Sequence, residues 1–535
     1  MPGREEGGEG MMDKGLRSIL AFILMLSAGP VAVASDWPTF GHDPQRTGWS
    51  PNENRLSAKN VSQLTLLWKA NIKANRPMSL TALTAPVVAN GVETPEGARS
   101  VVYVAGSSNN VNAIDAATGK ILWSRDLDMH VLPKDPGMWL CPNNLNATPV
   151  ADPDRGLLYV LSADGALYGL DLGTGKTRLG PVEFVPPFSK DWSLNLWHGV
   201  IYTSISQGCG GAPSGIYSID VRDPSRPAIR DLLVEHGYGA GIWGRGGVTI
   251  GDDGRVYAST GDGPFDAARG DYGSAVIEAA PGSLKVLDYY SPLNYRELTK
   301  YDLDIGGSGL VWFPYRDFDL VAGGGKEGVL YLLNADSLGG KDHQTPLYRH
   351  RLGNDNLQYE QYGIWGGLSE WMDERGEAWL YVPVWGPPSK KAPKFPLTNG
   401  AAPHGSLMAF RVVINPATKQ PTLDPAWIST DFDVPEPPAI AGGVVFVLST
   451  GENTQQTEGS AVIYHGQKQL TDRQRSENTH RAVLYALDAK TGRTLFQSGS
   501  EIESWTHFSG LAVADGRIFV VDHDSNVYCF GLAEK

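Results

Sequence analysis

The chain has 535 residues, 41% of them apolar, with 45 basic against 59 acidic side chains and a net charge of −14. It can bury a large core, its composition excludes a disordered chain, and an acidic protein without a basic cluster is a poor nucleic-acid binder. The 64 Gly, 36 Pro, 15 Trp and 21 Tyr suit many short strands joined by turns, and no long run carries the 3.6-residue apolar period of a helix.

In chain order, "KGLRSILAFILMLSAGPVAVAS" places two basic residues before an apolar run from Ile19 to Leu26 and a small-residue site at Ala32-Val33-Ala34. This pattern predicts a secretory signal peptide over residues 1–34, cleaved before Ser35, with Met11 or Met12 as an alternative start. The apolar run is too short to span a bilayer. The expected product is a periplasmic or secreted chain with no membrane span, a single domain over residues 35–535.

The stretch "LTLLWKANI" from Leu64 has the character of an outer strand. A repeated phrase then begins: "AIDAATGKILW" ending at Trp123, "LDLGTGK" at 170–176 and "LYALDAKTGRTLF" at 484–496. Asp followed by Thr-Gly makes a tight turn, because Gly tolerates positive φ and the Asp and Thr side chains bond the local backbone. Around each such turn the unit is a first strand, a Gly turn, a "VYV"-like strand, an Ala-x-Asp strand and the Thr-Gly turn. First strands are expected near Thr84, Ala147, Asn195, Gly241, Gly307, Gly363, Pro437 and Phe508. Eight four-stranded units predict an all-β fold, an eight-bladed β-propeller. The last repeat ends one strand short, so the Leu64 strand is expected to complete that blade and latch the ring. Long loop insertions are read at Asp262 to Tyr301, Pro387 to Pro403 and Glu452 to Thr479.

Three cysteines leave an odd count. Cys529, in the alternating "NVYCFGL", reads as a small buried hydrophobe. Cys141 and Cys209, in Gly/Pro/Asn-rich loops of an exported chain, are the better disulfide pair.

The repeated "A-x-D-x-x-T-G-K-x-x-W" phrase in an eight-bladed ring resembles the quinoprotein alcohol dehydrogenases, whose propellers hold pyrroloquinoline quinone (PQQ). The opening "DWPTFGHDPQRTG" from Asp36 is similar to the start of many exported PQQ-repeat proteins. The resemblance implies PQQ, a Ca²⁺ or lanthanide ion held by oxygen ligands, and a carboxylate that takes the proton of an alcohol or sugar hydroxyl. "KYDLDIGGSG" puts Asp302 and Asp304 where the family has its catalytic aspartate and, in some members, a second metal-binding one. "GGGKEGVLYLLNAD" puts Lys326 at a cofactor-contacting position, and "TGDGPFD" puts Asp262 where a metal-binding Asn is usual. Trp243, Arg245 and Trp365 sit at matching inner-strand starts beside the cofactor, and Glu370 in "GGLSEW" is a candidate replacement ligand. The segment "GCGGAPSGIYSID" lacks the family's metal-binding Glu, and the adjacent Cys-Cys pair of many members is absent. Read from the residues alone, Asp302 and Asp304 equally suit a loop cap, Lys326 a turn on a solvated face, and the two tryptophans ring packing. His507 reads as a structural histidine. The resemblance implies an oxidoreductase with a small-molecule substrate and, without a Cys-x-x-Cys-His haem motif, a separate electron acceptor. Non-catalytic exported propellers share the repeat, which keeps open a scaffold that binds a protein or glycan partner.

Overall fold

The computed structural model describes residues 35–72, 80–237, 239–459 and 467–533. The expected leader over residues 1–34 lies outside them. Eight antiparallel sheets follow one another round a ring, each running from an innermost strand to an outer one. The innermost strands are Val87–Thr94, Val150–Asp152, Asn195–Trp197, Thr249–Ile250, Leu310–Tyr315, Ser369–Met372, Ala439–Ala441 and Leu511–Ala514. Second strands such as Val444–Ser449 are buried along their whole length, because each blade is covered on both faces by its neighbours. Apolar side chains form a layer at each blade–blade boundary, for example Val311, Phe313, Leu330, Leu380 and Phe410 between the fifth and sixth blades.

The ring closes as the truncated last repeat predicts. Leu64–Asn71 pairs antiparallel with Asn526–Leu532, the third strand of the eighth blade, and so gives that blade its fourth strand. The repeated turn has a second purpose. The Trp68 ring stacks over Gly119, Trp123 over Gly175 and Trp427 over Gly492, and the three indole N–H groups donate to the carbonyls of Ala116, Leu172 and Ala489. A Cβ on Gly492 would lie 2.3 Å from the Trp427 ring. An outer-strand tryptophan of one blade is thus docked on the Thr-Gly turn of the next.

The opening run 37–50 crosses the axis and is bonded to one blade after another. Trp37 exchanges both backbone bonds with Val88, and the Pro38 carbonyl accepts from Ala151 N–H. Arg46 donates to Leu194 O, Pro44 O accepts from Ile250 N–H, Gln45 O from Trp312 N–H and Thr47 O from Glu370 N–H. Trp49–Ser50 then adds a parallel strand to Ala439–Ala441.

One expectation is corrected here. The stretch Asp262 to Tyr301 is not wholly an insertion: it contains Val276–Ala279 and Val286–Tyr290, the third and fourth strands of the fourth blade. Their connecting turn is Ala-Pro-Gly-Ser, without the Asp and Thr-Gly of the first, second and seventh blades. The added parts are a two-stranded hairpin, Phe265–Asp266 with Asp271–Tyr272, and the short helix Tyr295–Lys300. Helix Asp472–Ser476, with a Thr471/Gln474 capping box, lies in the insertion after the seventh blade's second strand. Among the described residues no helix is long and apolar enough to cross a membrane.

Candidate functional site

At one end of the axis, loops that lead into the inner strands or leave the second strands enclose a cavity of about 800 Å³. Its lining includes Asp262, Asp302, Lys326, Trp243 and Trp365, which lie on three successive blades but reach one rim. The Gly323-Gly324-Gly325 run before Lys326 permits this approach, since a Cβ on Gly325 would lie 2.0 Å from the Asp304 carbonyl oxygen. Lys326 N–H in turn donates to that carbonyl at 3.0 Å.

Carboxylate oxygens of Asp262, Asp302 and Asp304 lie within 4.8 Å of one another. Asp304 is fully buried. Its Oδ1 accepts from Trp243 Nε1 at 3.0 Å and from Gly306 N–H at 2.9 Å. Its Oδ2 is 3.0 Å from Lys326 Nζ, but the ammonium is not aligned on it, and that oxygen has no hydrogen bond. Asp302, with φ +53°, is a quarter exposed and accepts from Lys326 Nζ. The ammonium also lies 5.0 Å from the Trp243 ring centre and 5.5 Å from that of Trp365.

Burial pushes the Asp302 carboxyl up to about 7; Lys326 opposes this, while Asp262 and Asp304 add to it. Burial and then the Asp304 charge raise Asp262 as well. Burial alone would lower the Lys326 ammonium, but Asp302, Asp304 and Asp262 outweigh it and hold the lysine above its ordinary value. Three carboxylates against one ammonium are a donor set that suits a hard cation with oxygen ligands.

Two residues expected at this site stand elsewhere. Glu370 is on the inner strand of the sixth blade, beyond Trp365 and against the crossing run, where its N–H bonds Thr47 O. It does not line the cavity; burial, with Asp43 nearby, pushes its carboxyl up to about 8. Arg245 lies behind Trp192, its guanidinium 5.5 Å from that ring centre, and faces Glu436 and Asp191 rather than the cavity. For Glu370 the cause is that successive residues of an inner strand move along the axis, away from the rim.

The cavity also has a wall that sequence reasoning missed. Trp139, Leu140, Lys190, Arg475 and His507 line it, and His507 Nδ1 lies 2.8 Å from Glu452 Oε1. Gln207 lines the cavity near the segment that lacks the family's Glu. Cys141 and Cys209 are joined by a disulfide, Cα atoms 5.4 Å apart, which ties the Trp139-Leu140 loop to the third blade. Cys529 is a free, buried cysteine. No spacing marks Lys190 or Arg475.

Residues 37–186 match a PQQ family model described as "Glucose/ethanol/alcohol dehydrogenase, beta-propeller domain". The chain is similar to the 1-butanol dehydrogenase (cytochrome c) of Thauera butanivorans, 29% identical over 210 residues, 38% of this chain and 28% of that protein. It is 33% identical over 141 residues to the quinohemoprotein alcohol dehydrogenase of Comamonas testosteroni, 26% of this chain and 17% of that protein. The matched stretches thus span less than a third of either relative. In three dimensions the chain superposes on the Comamonas testosteroni quinohemoprotein alcohol dehydrogenase with a TM-score of 0.56 at 17% identity, over 94% of this chain and 81% of that one. It superposes on a europium-containing methanol dehydrogenase with a TM-score of 0.56 at 14% identity, over 92% and 89%. At these identities the superpositions speak for the fold, which is that of the PQQ propellers.

Proposed function

We propose that this quinoprotein alcohol dehydrogenase-like propeller is an exported oxidoreductase that oxidises an alcohol or sugar hydroxyl with PQQ and a Ca²⁺ or lanthanide ion. The observation that carries the reading is the group of Asp262, Asp302, Asp304 and Lys326 at the mouth of the axial cavity, with the buried Asp304 Oδ2 left without a hydrogen bond. The names of the relatives supply the reaction class, and the signal-like leader supplies the export.

When bound, PQQ supplies the two-electron oxidant and the cation supplies Lewis acidity. Asp262 and Asp304 would hold the cation through carboxylate oxygens. Lys326 keeps its proton under three negative neighbours, so its ammonium is a permanent donor for a quinone oxygen. Trp243 and Trp365 give flat apolar walls, and Trp243 Nε1 fixes the orientation of Asp304. Asp302, a quarter exposed and lining the cavity, is the carboxylate of the three suited to take the proton from a substrate hydroxyl. Electrons leave to a separate acceptor, of the cytochrome c kind named for one relative.

The test is dye reduction by the purified protein incubated with PQQ and Ca²⁺ or a lanthanide across a panel of alcohols and sugars. Dye reduction that needs both additions is expected, and Asp302→Asn should lower kcat about 100-fold or more with the circular dichroism spectrum unchanged. No dye reduction with any substrate, together with no binding of PQQ, overturns the reading.

A further inference from the structure

The second wall of the cavity carries a guanidinium whose N–H groups its neighbours leave partly unmatched. Arg475 is 2% exposed; its Nη2 lies 3.0 Å from Glu452 Oε1, while Nε and Nη1 have no hydrogen-bond partner. Its guanidinium covers the Trp139 ring at 4.5 Å, and Trp139 Nε1 donates to Leu470 O in the insertion that carries Arg475. The next residue, Leu140, accepts from Lys190 Nζ at 2.8 Å, so the two cations are joined through one short loop. Burial and then two like charges, Arg245 and Arg475, pull the Lys190 ammonium down to about 7. Glu452 is shared between Arg475 and His507, and Glu360 is already occupied by Gln456 N–H and Thr457 N–H. Buried guanidinium N–H groups without partners are costly unless a ligand supplies an acceptor.

We infer that Arg475 and Lys190 form a carboxylate-binding pole of the cavity, separate from the aspartate cluster, so that its ligand carries an anionic group as well as the reacting centre. The inference deepens the function proposed above and rests on it for the identity of the cavity. Arg matches a carboxylate by charge and by donor geometry, and Lys adds a point charge beside it. The disulfide and the Trp139–Leu470 bond hold the loop in place before any ligand arrives. The anionic group meant here belongs to the substrate, as the carboxylate of a hydroxy acid does, and not to the quinone.

Binding of PQQ by tryptophan quenching, and binding of glycerate and glycerol by calorimetry, separate them in the full-length protein and in Arg475→Gln and Lys190→Gln. Loss of PQQ affinity by about tenfold or more in both variants gives the pole to the quinone and overturns the inference. Unchanged PQQ affinity with the same loss for glycerate, and none for glycerol, assigns it to the substrate. Arg475→Lys should restore part of the affinity in either case. If PQQ fails to bind but glycerate binds through Arg475 and Lys190, the pole stands and the quinone reading falls. Isotherms for PQQ and glycerate that match wild type in both variants, or a wild-type protein that binds neither anion, overturn the inference. Lys190→Gln guards against misfolding of the Arg475 variant, since Lys190 makes one bond to a carbonyl and leaves no buried carboxylate behind.

Discussion

Glu370 shows how far one side chain can sit from its ordinary chemistry without belonging to the cavity. It is 3% exposed, its Oε1 has no hydrogen-bond partner, and burial raises it to about 8 from an ordinary value of 4.5. The native state therefore binds a proton between about pH 4.5 and 8 that the unfolded chain does not, so stability is fullest below this window and falls as pH rises through it. The full effect is up to about 5 kcal/mol. Glu370→Gln should flatten the loss, which urea denaturation at pH 5 and pH 8.5 would measure as a smaller difference for the variant than for wild type. The resemblance of "GGLSEW" located the right strand, but a strand advances about 3.3 Å per residue, and five residues separate Trp365 on the rim from Glu370 against the crossing run. Asp302, Asp304 and Lys326 were legible because they lie in loops at strand ends, where position in the motif and position on the rim coincide.

At the scale of the element, the Thr-Gly turn carries more than a hairpin. Gly492 has φ +70° and meets Trp427, whereas Gly443, with φ +74°, has nothing near its absent Cβ. Gly443→Ala should cost about 1 kcal/mol, the conformational term alone, and Gly492→Ala at least about 2–3 kcal/mol as the Trp427 ring is displaced. Thermal denaturation of the two variants separates the terms, and equal costs would remove the docking role. The turn was legible from its residues; its tryptophan partner was not, because it comes from the outer strand of another blade. The wall bearing Arg475 escaped for a related reason. Insertions have no periodicity, and a buried arginine between aromatic and acidic neighbours differs from a surface arginine only in three dimensions.

At the scale of the whole molecule, blade number and latch were both readable, since eight first strands stand out in the sequence and the last repeat is one strand short. The crossing run was not, because its bonds go to residues up to several hundred positions away. Arg46 is its most committed member. It is 4% exposed and donates to Thr39 Oγ1, Phe40 O, Leu194 O and Val248 O, with burial lowering its pKa to about 9 despite Asp43 nearby. Arg46→Met leaves three carbonyls and a hydroxyl short of a donor, so a loss of more than about 3 kcal/mol is expected, read as a shift in the guanidinium midpoint. A loss below 1 kcal/mol would mean that the run merely rests on the ring.

Propellers are thought of as arrays that can gain or lose a member by duplication, since each blade touches only its neighbours. Here Trp37 meets the first blade, Pro38 the second, Arg46 the third, Pro44 the fourth, Gln45 the fifth, Thr47 the sixth and Trp49 the seventh, while Glu53 accepts from Gly516 N–H in the eighth. A ring with one blade more or fewer would leave one of these partners facing the wrong sheet. The run is a tally stick for the ring, and it makes blade number, in evolution and in engineering alike, a quantity that cannot drift one unit at a time.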